Sequence, residues 1–142
     1  MNAHELLRSD APFVADTSTW WRASTLPPEL ADLLTKAVRE DRLWITPIVR
    51  MEILYSARTS SEYLALELEL DALRILRNDR AVADAAMSAL AELAAHSDGS
   101  HRVPLIAAAA AEHGGLAVLH LDRHFDRLSE ALAFESVALP RQ

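Results

Sequence analysis

The stretch Phe13-Val14-Ala15-Asp16-Thr17-Ser18-Thr19-Trp20-Trp21 runs from a short apolar segment into a carboxylate and then into hydroxyl-bearing residues. The apolar segment predicts a buried strand, and the hydroxyl-bearing residues suit the first turn of a helix. Taking the ionised carboxylate of Asp16 out of water is costly unless a cation or hydrogen-bond donors compensate for it. No lysine or arginine lies within this stretch, so a compensating cation must come from elsewhere.

Composition favours one compact domain that spans residues 1–142. The chain is 51% hydrophobic and has only three glycines, which is typical of a globular core. It has no cysteine, which excludes disulfides and thiolate metal sites and fits a reducing compartment. Its apolar runs are far shorter than the roughly 20 residues of a membrane span, and no secretory signal is visible. We therefore expect a cytoplasmic protein that does not contact the membrane.

The charge balance limits how the protein can bind nucleic acid. The formal net charge is −7 at pH 7, with thirteen arginines and a single lysine, Lys36, among the basic residues. This balance argues against a broad basic surface that holds nucleic acid through its phosphates alone. Any contact with nucleic acid must therefore be local.

Short apolar segments alternate with helical patterns along the chain. Strands are predicted at 12–15, 43–45, 73–76, 116–120 and 136–139. Helices are predicted at 27–40, from 47 onwards, at 60–72, at 79–95, at 104–113 and within 122–132, with a loop at 96–100. This alternation predicts an α/β protein: a three-layer α/β/α sandwich with a short, mostly parallel central sheet. Sites in such folds form beyond the carboxyl ends of the strands.

Three carboxylates from distant segments are expected near that edge of the sheet. Asp16 and Asp122 each follow a predicted strand, and Glu52 lies on the helix that follows another. Hard divalent cations such as Mg²⁺ or Mn²⁺ take oxygen ligands of this kind. In the alternative interpretation, Asp16 caps the next helix and the other two acids are merely exposed. Spacing alone leaves both interpretations open.

Three segments resemble the PIN-domain ribonucleases, in particular the VapC-type toxins of bacterial toxin–antitoxin pairs. They are FVADTSTWW at 13–21, TPIVRMEILYSAR at 46–58 and AAAAAEHGGLAVLHLDRHFDRL at 107–128. The resemblance covers nearly the whole chain. It implies a PIN-like parallel sheet between helices, in agreement with the fold class predicted above.

The resemblance also implies an activity and partners. It identifies Asp16, Glu52 and Asp122 as catalytic residues that hold Mg²⁺ or Mn²⁺ in an endoribonuclease, which hydrolyses RNA phosphodiester bonds with a metal-activated water. Thr17 or Ser18 would then hydrogen-bond a metal ligand or the scissile phosphate; the alternative is that each only fills the first helical turn. The implied partners are a VapB-like antitoxin, an RNA substrate and a second copy of the chain in a homodimer.

The sequence departs from the family pattern at one acid. That acid normally opens the helix before Gly114-Gly115, and an ungapped match places Pro104 there, which cannot ligate a cation. Asp98, in the preceding loop, is the candidate substitute. Two hypotheses follow: an endoribonuclease impaired by the missing acid, or a catalytically degenerate PIN-like protein that acts mainly by binding its antitoxin or another partner.

Other polar residues near the expected site are auxiliary candidates. Arg102 is a candidate contact for RNA or for a partner's acids, although a solvated loop explains it equally well. His120, Asp122 and His124 alternate, so an extended backbone would make them a transition-metal set, but the turn expected after Asp122 breaks that geometry. Asp126 follows in the same segment and completes the auxiliary candidates.

Overall fold

One parallel sheet of five strands organises the protein. The computed structural model describes residues 1–93 and 102–141. Within these ranges the strands lie in the spatial order β3-β2-β1-β4-β5, and every neighbouring pair is parallel. The strands are β1 Phe13–Ala15, β2 Leu43–Ile45, β3 Arg74–Ile75, β4 Ala117–His120 and β5 Glu135–Ala138. All five predicted strands are confirmed.

Helices connect the strands and flank the sheet. They are α1 Ala3–Arg8, α2 Thr17–Ala23, α3 Pro28–Arg39, α4 Pro47–Tyr55, α5 Ser60–Asp71, α6 Arg80–Glu92, α7 Arg102–Glu112 and α8 His124–Leu128. This is the three-layer α/β/α fold that the alternating pattern predicts. None of the helices in the described ranges is long and apolar enough to cross a membrane.

Side-chain caps fix where several helices begin. The side chain of Thr46 accepts a hydrogen bond from the Val49 amide at the start of α4, at 3.4 Å. Asp79 accepts one from the Val82 amide at the start of α6, at 3.0 Å. These caps satisfy amides that have no partner within the helix. They explain why the sequence predicts these boundaries within a residue or two.

Two boundaries and one helix differ from the prediction. Helix α7 begins at Arg102, two residues before the predicted start at Pro104. Pro104 can lie inside the helix because proline fits the first helical turn. Helix α6 ends at Glu92. The predicted loop at 96–100, with Asp98, lies outside the described residues. The sequence pattern did not predict α1, which has only six residues.

The order of the strands brings the candidate acids to one edge. Strand β1 pairs with β4 so that Ala15 lies opposite Leu119, and both strands point the same way. The residues that follow them, Asp16 and Leu121, therefore emerge side by side at the carboxyl edge of the sheet. Strand β2 lies on the other side of β1 and leads into α4, which carries Glu52.

Helix α7 reaches the same edge because its side chains are small. Residues 107–110 are four alanines, and all four are buried. Small side chains let this helix pack closely against α6 and β4. The helix therefore begins near the carboxyl edge, with Arg102 as its first residue.

Candidate active site

Asp16 is fully buried and has three hydrogen-bond donors. Its Oδ2 accepts hydrogen bonds from the backbone amide of Ser18 at 3.1 Å and from Ser18 Oγ at 2.5 Å. Its Oδ1 accepts one from Arg102 Nη1 at 3.0 Å. Asp16 therefore caps α2, as the alternative interpretation expected, and it is also paired with a cation.

The cation comes from a segment that is distant from Asp16 in the sequence. Arg102 lies 86 residues after Asp16, and its guanidinium stands between two carboxylates. While Nη1 contacts Asp16, Nε lies 3.2 Å from Oε1 and 3.3 Å from Oε2 of Glu52. One guanidinium thus neutralises charge on both acids and answers the question that the buried Asp16 raises.

Hydroxyl groups of the first turn of α2 orient the two acids. Thr17 Oγ1 donates to Glu52 Oε1 at 2.9 Å. Ser18 Oγ, which donates to Asp16, accepts a hydrogen bond from the Leu121 amide at 2.9 Å. Thr17 and Ser18 therefore hold the candidate ligands in place. They also lie in the first turn of α2, so the structure agrees with both interpretations that the sequence left open for them.

Asp122 lies beside this pair and carries its own partner. Its Oδ1 accepts a hydrogen bond from the His124 amide at 3.0 Å and lies 2.6 Å from His124 Nδ1. Burial alone would raise the pKa of Asp122. The hydrogen bonds from the amide and ring of His124, together with the charges of His124 and Arg102, outweigh burial and lower that pKa. Asp122 is therefore held in its ionised form.

His120 is a buried structural residue. Its Nδ1 accepts a hydrogen bond from the Asp122 amide at 3.0 Å, which requires that nitrogen to be unprotonated. Nε2 then carries the proton and donates to Ser136 Oγ at 2.7 Å, and Ser136 Oγ donates to Asp126 Oδ1 at 2.6 Å. This chain of bonds ties the end of β4 to β5 and α8, and it gives Asp126 a structural contact.

The donor set suits a divalent cation only in part. Within residues 1–93 and 102–141, no three histidine or acidic side chains are grouped so that they could hold one metal ion. Asp16 and Glu52 offer hard oxygen donors, and a pair of carboxylates can hold Mg²⁺ when water and substrate phosphate complete the coordination. Both acids already share the cation of Arg102, and Pro104 is buried without offering a donor. Ligation by Asp16, Glu52 and Asp122 together stays a prediction.

Sequence reasoning named Arg102 as an auxiliary candidate but missed its ion pairs with Asp16 and Glu52. The sequence predicts Arg102 only as a contact for RNA or for a partner's acids. Its proximity to Asp16 depends on the start of α7 and on the strand order, and neither is visible in a local pattern. The available indication was the buried carboxylate itself, which required a cation from another segment.

The fold and the site define an α/β protein with acidic residues at the carboxyl edge of its sheet, and comparisons with known proteins specify the family. Residues 13–131 match the PIN domain. Ribonuclease VapC18 of Mycobacterium tuberculosis is 38% identical over 122 residues, which are 82% of this chain and 87% of that protein. Ribonuclease VapC17 of the same organism is 33% identical over 110 residues, 75% of this chain and 77% of that protein.

Solved structures agree on the fold. A chain in the DNA-bound VapBC complex from Salmonella typhimurium superposes with a TM-score of 0.70 at 21% identity, covering 90% of this chain and 98% of that one. A chain of VapBC-5 from Mycobacterium tuberculosis, described as a member of the VapBC family of toxin–antitoxin systems, has a TM-score of 0.64 at 24% identity. It covers 91% of this chain and 99% of that one. The match of residues 13–131 to the PIN domain and the 38% identity to ribonuclease VapC18 show that this chain belongs to the PIN-domain family and, within it, to the VapC-type ribonucleases.

The buried imidazole predicts a dependence of stability on pH. Burial lowers the pKa of His120 from 6.5, against the opposing effect of Asp126, Asp16 and Asp122. Below pH 6.5 His120 is therefore protonated in the unfolded chain but still neutral in the folded chain. The free energy of unfolding consequently falls as pH decreases from 6.5 towards the folded-state pKa. Urea unfolding at pH 7.5 and pH 5.5 should show a larger loss for the wild type than for His120→Asn, which keeps an acceptor for the Asp122 amide. Equal losses in the two proteins would contradict this assignment.

Proposed function

We propose that this chain is an endoribonuclease toxin of a toxin–antitoxin pair, which hydrolyses RNA phosphodiester bonds at Asp16, Glu52 and Asp122. The observation that carries the proposal is the gathering of Asp16 and Glu52 around one cation at the carboxyl edge of the sheet. Relatives that match three quarters or more of the chain are named ribonucleases. Because the proposed substrate is cellular RNA, the proposed place of action is the cytoplasm.

We further propose that the activity depends on Mg²⁺ or Mn²⁺. Asp16 and Glu52 would hold the ion, with Asp122 beside them. When bound, such an ion lowers the pKa of a water and stabilises negative charge on phosphate oxygens. The protein's own contribution is orientation, since Ser18 fixes the carboxylate of Asp16 and Thr17 fixes that of Glu52.

The surroundings of the site support access for a single-stranded RNA. The side chain of Glu52 is 40% exposed, whereas that of Asp16 is fully buried, so the site is open to solvent on the Glu52 side. Arg123 is exposed next to Asp122. With a net charge of −7, the protein would hold the phosphates through such local contacts, and the measured affinity should depend weakly on salt.

Isosteric changes at the two acids test the proposed chemistry. Asp16→Asn and Glu52→Gln should each lower Mn²⁺-dependent cleavage of single-stranded RNA by at least about 100-fold, or about 2.7 kcal/mol in the barrier. The matched control is Asp71→Asn, because Asp71 is an exposed acid paired with Arg50 outside the site. Its activity should equal that of the wild type, and EDTA should abolish cleavage by both. Unchanged cleavage by Asp16→Asn would contradict the proposal.

A second candidate function is partner binding without catalysis. One observation favours it, since Arg102 already neutralises Asp16 and Glu52. The ungapped match of the sequence analysis, which places Pro104 at the position of a family acid, points the same way. The two candidates differ in the assay above. If the wild type cleaves no RNA with either Mg²⁺ or Mn²⁺ yet forms a stable complex with an antitoxin, the chain acts by binding.

An apolar surface on α4 and α5 suits a partner. We name it the α4–α5 surface; its exposed members are Met51, Tyr55, Tyr63, Leu64 and Leu68. Tyr55 is 92% exposed and Leu68 is 74% exposed, which is unusual for residues of this size within one contiguous pair of helices. We propose that a VapB-like antitoxin covers this surface, since the structural neighbours are chains of toxin–antitoxin complexes.

Charged substitutions on the α4–α5 surface test this partner. Tyr55→Glu and Leu68→Glu should each weaken the complex with a co-expressed VapB-like antitoxin by at least about tenfold, because binding would then take a charged glutamate out of water at an apolar contact. Met87→Glu is the matched control, since Met87 is a 60% exposed apolar residue on α6. Co-expression pull-down followed by calorimetry measures the effect. Wild-type affinity in both test variants would place the antitoxin elsewhere.

Homodimerisation is the other assembly that we propose. Closed two-fold dimers are the commonest assemblies of small proteins, and exposed apolar helix faces provide contact area. Sedimentation equilibrium at micromolar concentration should give about twice the chain mass of 15.7 kDa. A single species at the mass of one chain would contradict the dimer.

A further inference from the structure

The same oxygen atoms that would hold a metal ion are occupied by a side chain of the protein. Arg102 Nη1 contacts Oδ1 of Asp16, and Arg102 Nε lies within 3.3 Å of both carboxylate oxygens of Glu52. The second oxygen of Asp16 is bound by Ser18. An ion that takes Asp16 Oδ1 and Glu52 as ligands must therefore displace the guanidinium.

We propose that Arg102 is an exchangeable internal cation. It neutralises Asp16 and Glu52 when the metal is absent and leaves them when a divalent ion binds, so that its release lowers the apparent affinity for metal. This inference rests on the proposed metal-dependent function. It adds to that function a competitor that belongs to the chain itself.

Asp16 and Arg102 differ in how strongly each depends on the ion pair between them. The side chain of Asp16 has no exposure to solvent, so its charge requires a cation at all times. The side chain of Arg102 is 22% exposed, and the residue is the first of α7. Its guanidinium can therefore reach water by side-chain rotation, without unfolding the helix, whereas Asp16 cannot.

The position of Arg102 at the amino end of α7 also favours its release. The amino end of a helix carries partial positive charge, so a cation is unfavourable there unless acids compensate for it. Asp16 and Glu52 supply that compensation through their contacts with the guanidinium. Once a divalent ion neutralises these acids, the guanidinium loses the interactions that hold it near the helix end.

Metal binding by charge-matched variants tests the exchange. Calorimetric titration with Mn²⁺ should give at least about tenfold tighter binding for Arg102→Met than for the wild type, a difference of about 1.4 kcal/mol. Arg102→Lys keeps a cation and should bind Mn²⁺ with nearly wild-type affinity. Arg8→Met is the matched control. It removes the same charge from an exposed ion pair with Glu29 and should leave the Mn²⁺ affinity unchanged.

A thermal measurement provides an independent readout. Without metal, Arg102→Met should melt below the wild type, since Asp16 is left buried without its cation. Saturating Mn²⁺ should raise the Tm of Arg102→Met by more than it raises that of the wild type. Equal Mn²⁺ affinities and equal Tm shifts in the two proteins would overturn the inference and leave the proposed RNA cleavage untouched.

A measurement on the wild type covers the case in which Arg102→Met does not fold. In ¹⁵N NMR, Mg²⁺ should shift the side-chain Nε–Hε resonance of Arg102 together with the backbone amide of Ser18, which reports on Asp16. A Ser18 amide that shifts while the Arg102 resonance stays fixed would overturn the exchange. If Mg²⁺ shifts neither resonance at any concentration, the metal dependence itself fails, and the exchange fails with it.

Discussion

The buried carboxylate of Asp16 determines which elements of the protein must meet at the carboxyl edge of the sheet. It lies at the end of the central strand, with no access to water, and its charge must be compensated within the protein. Ser18 supplies two donors from the next helical turn, and Arg102 supplies the cation. The ends of β1 and β4 and the starts of α2 and α7 therefore meet at one point, together with Glu52.

The free-energy cost of leaving a buried charge unpaired explains how α7 packs and how the turn at Asp122 is held. A buried ion pair contributes little net stability, yet loss of one partner is expensive, about 3–5 kcal/mol. The protein must therefore deliver Arg102 accurately, and the four buried alanines at 107–110 allow α7 to pack closely enough to do so. The network from His120 through Ser136 to Asp126 fixes the turn that carries Asp122 on the other side.

Much of the fold and part of the site follow from local sequence. The strand before Asp16 and the caps at Thr46 and Asp79 are set by neighbouring residues, so their patterns predict the structure well. The contacts of Arg102 with Asp16 and Glu52 span 86 and 50 residues, and no local pattern encodes them. Pro104 indicated that the acid expected at the start of α7 is absent. It did not indicate that the same helical turn brings a cation into the site.

The most direct test of this account is a pair of crystal structures, one grown with EDTA and one with Mn²⁺, in which anomalous scattering locates the metal. If Arg102 is an exchangeable cation, it lies between Asp16 and Glu52 in the first structure. In the second structure manganese lies on those two carboxylates and the guanidinium has moved towards solvent. Arg102 lying in solvent in the metal-free crystal, or keeping its contact with Asp16 beside a bound manganese, would contradict this account.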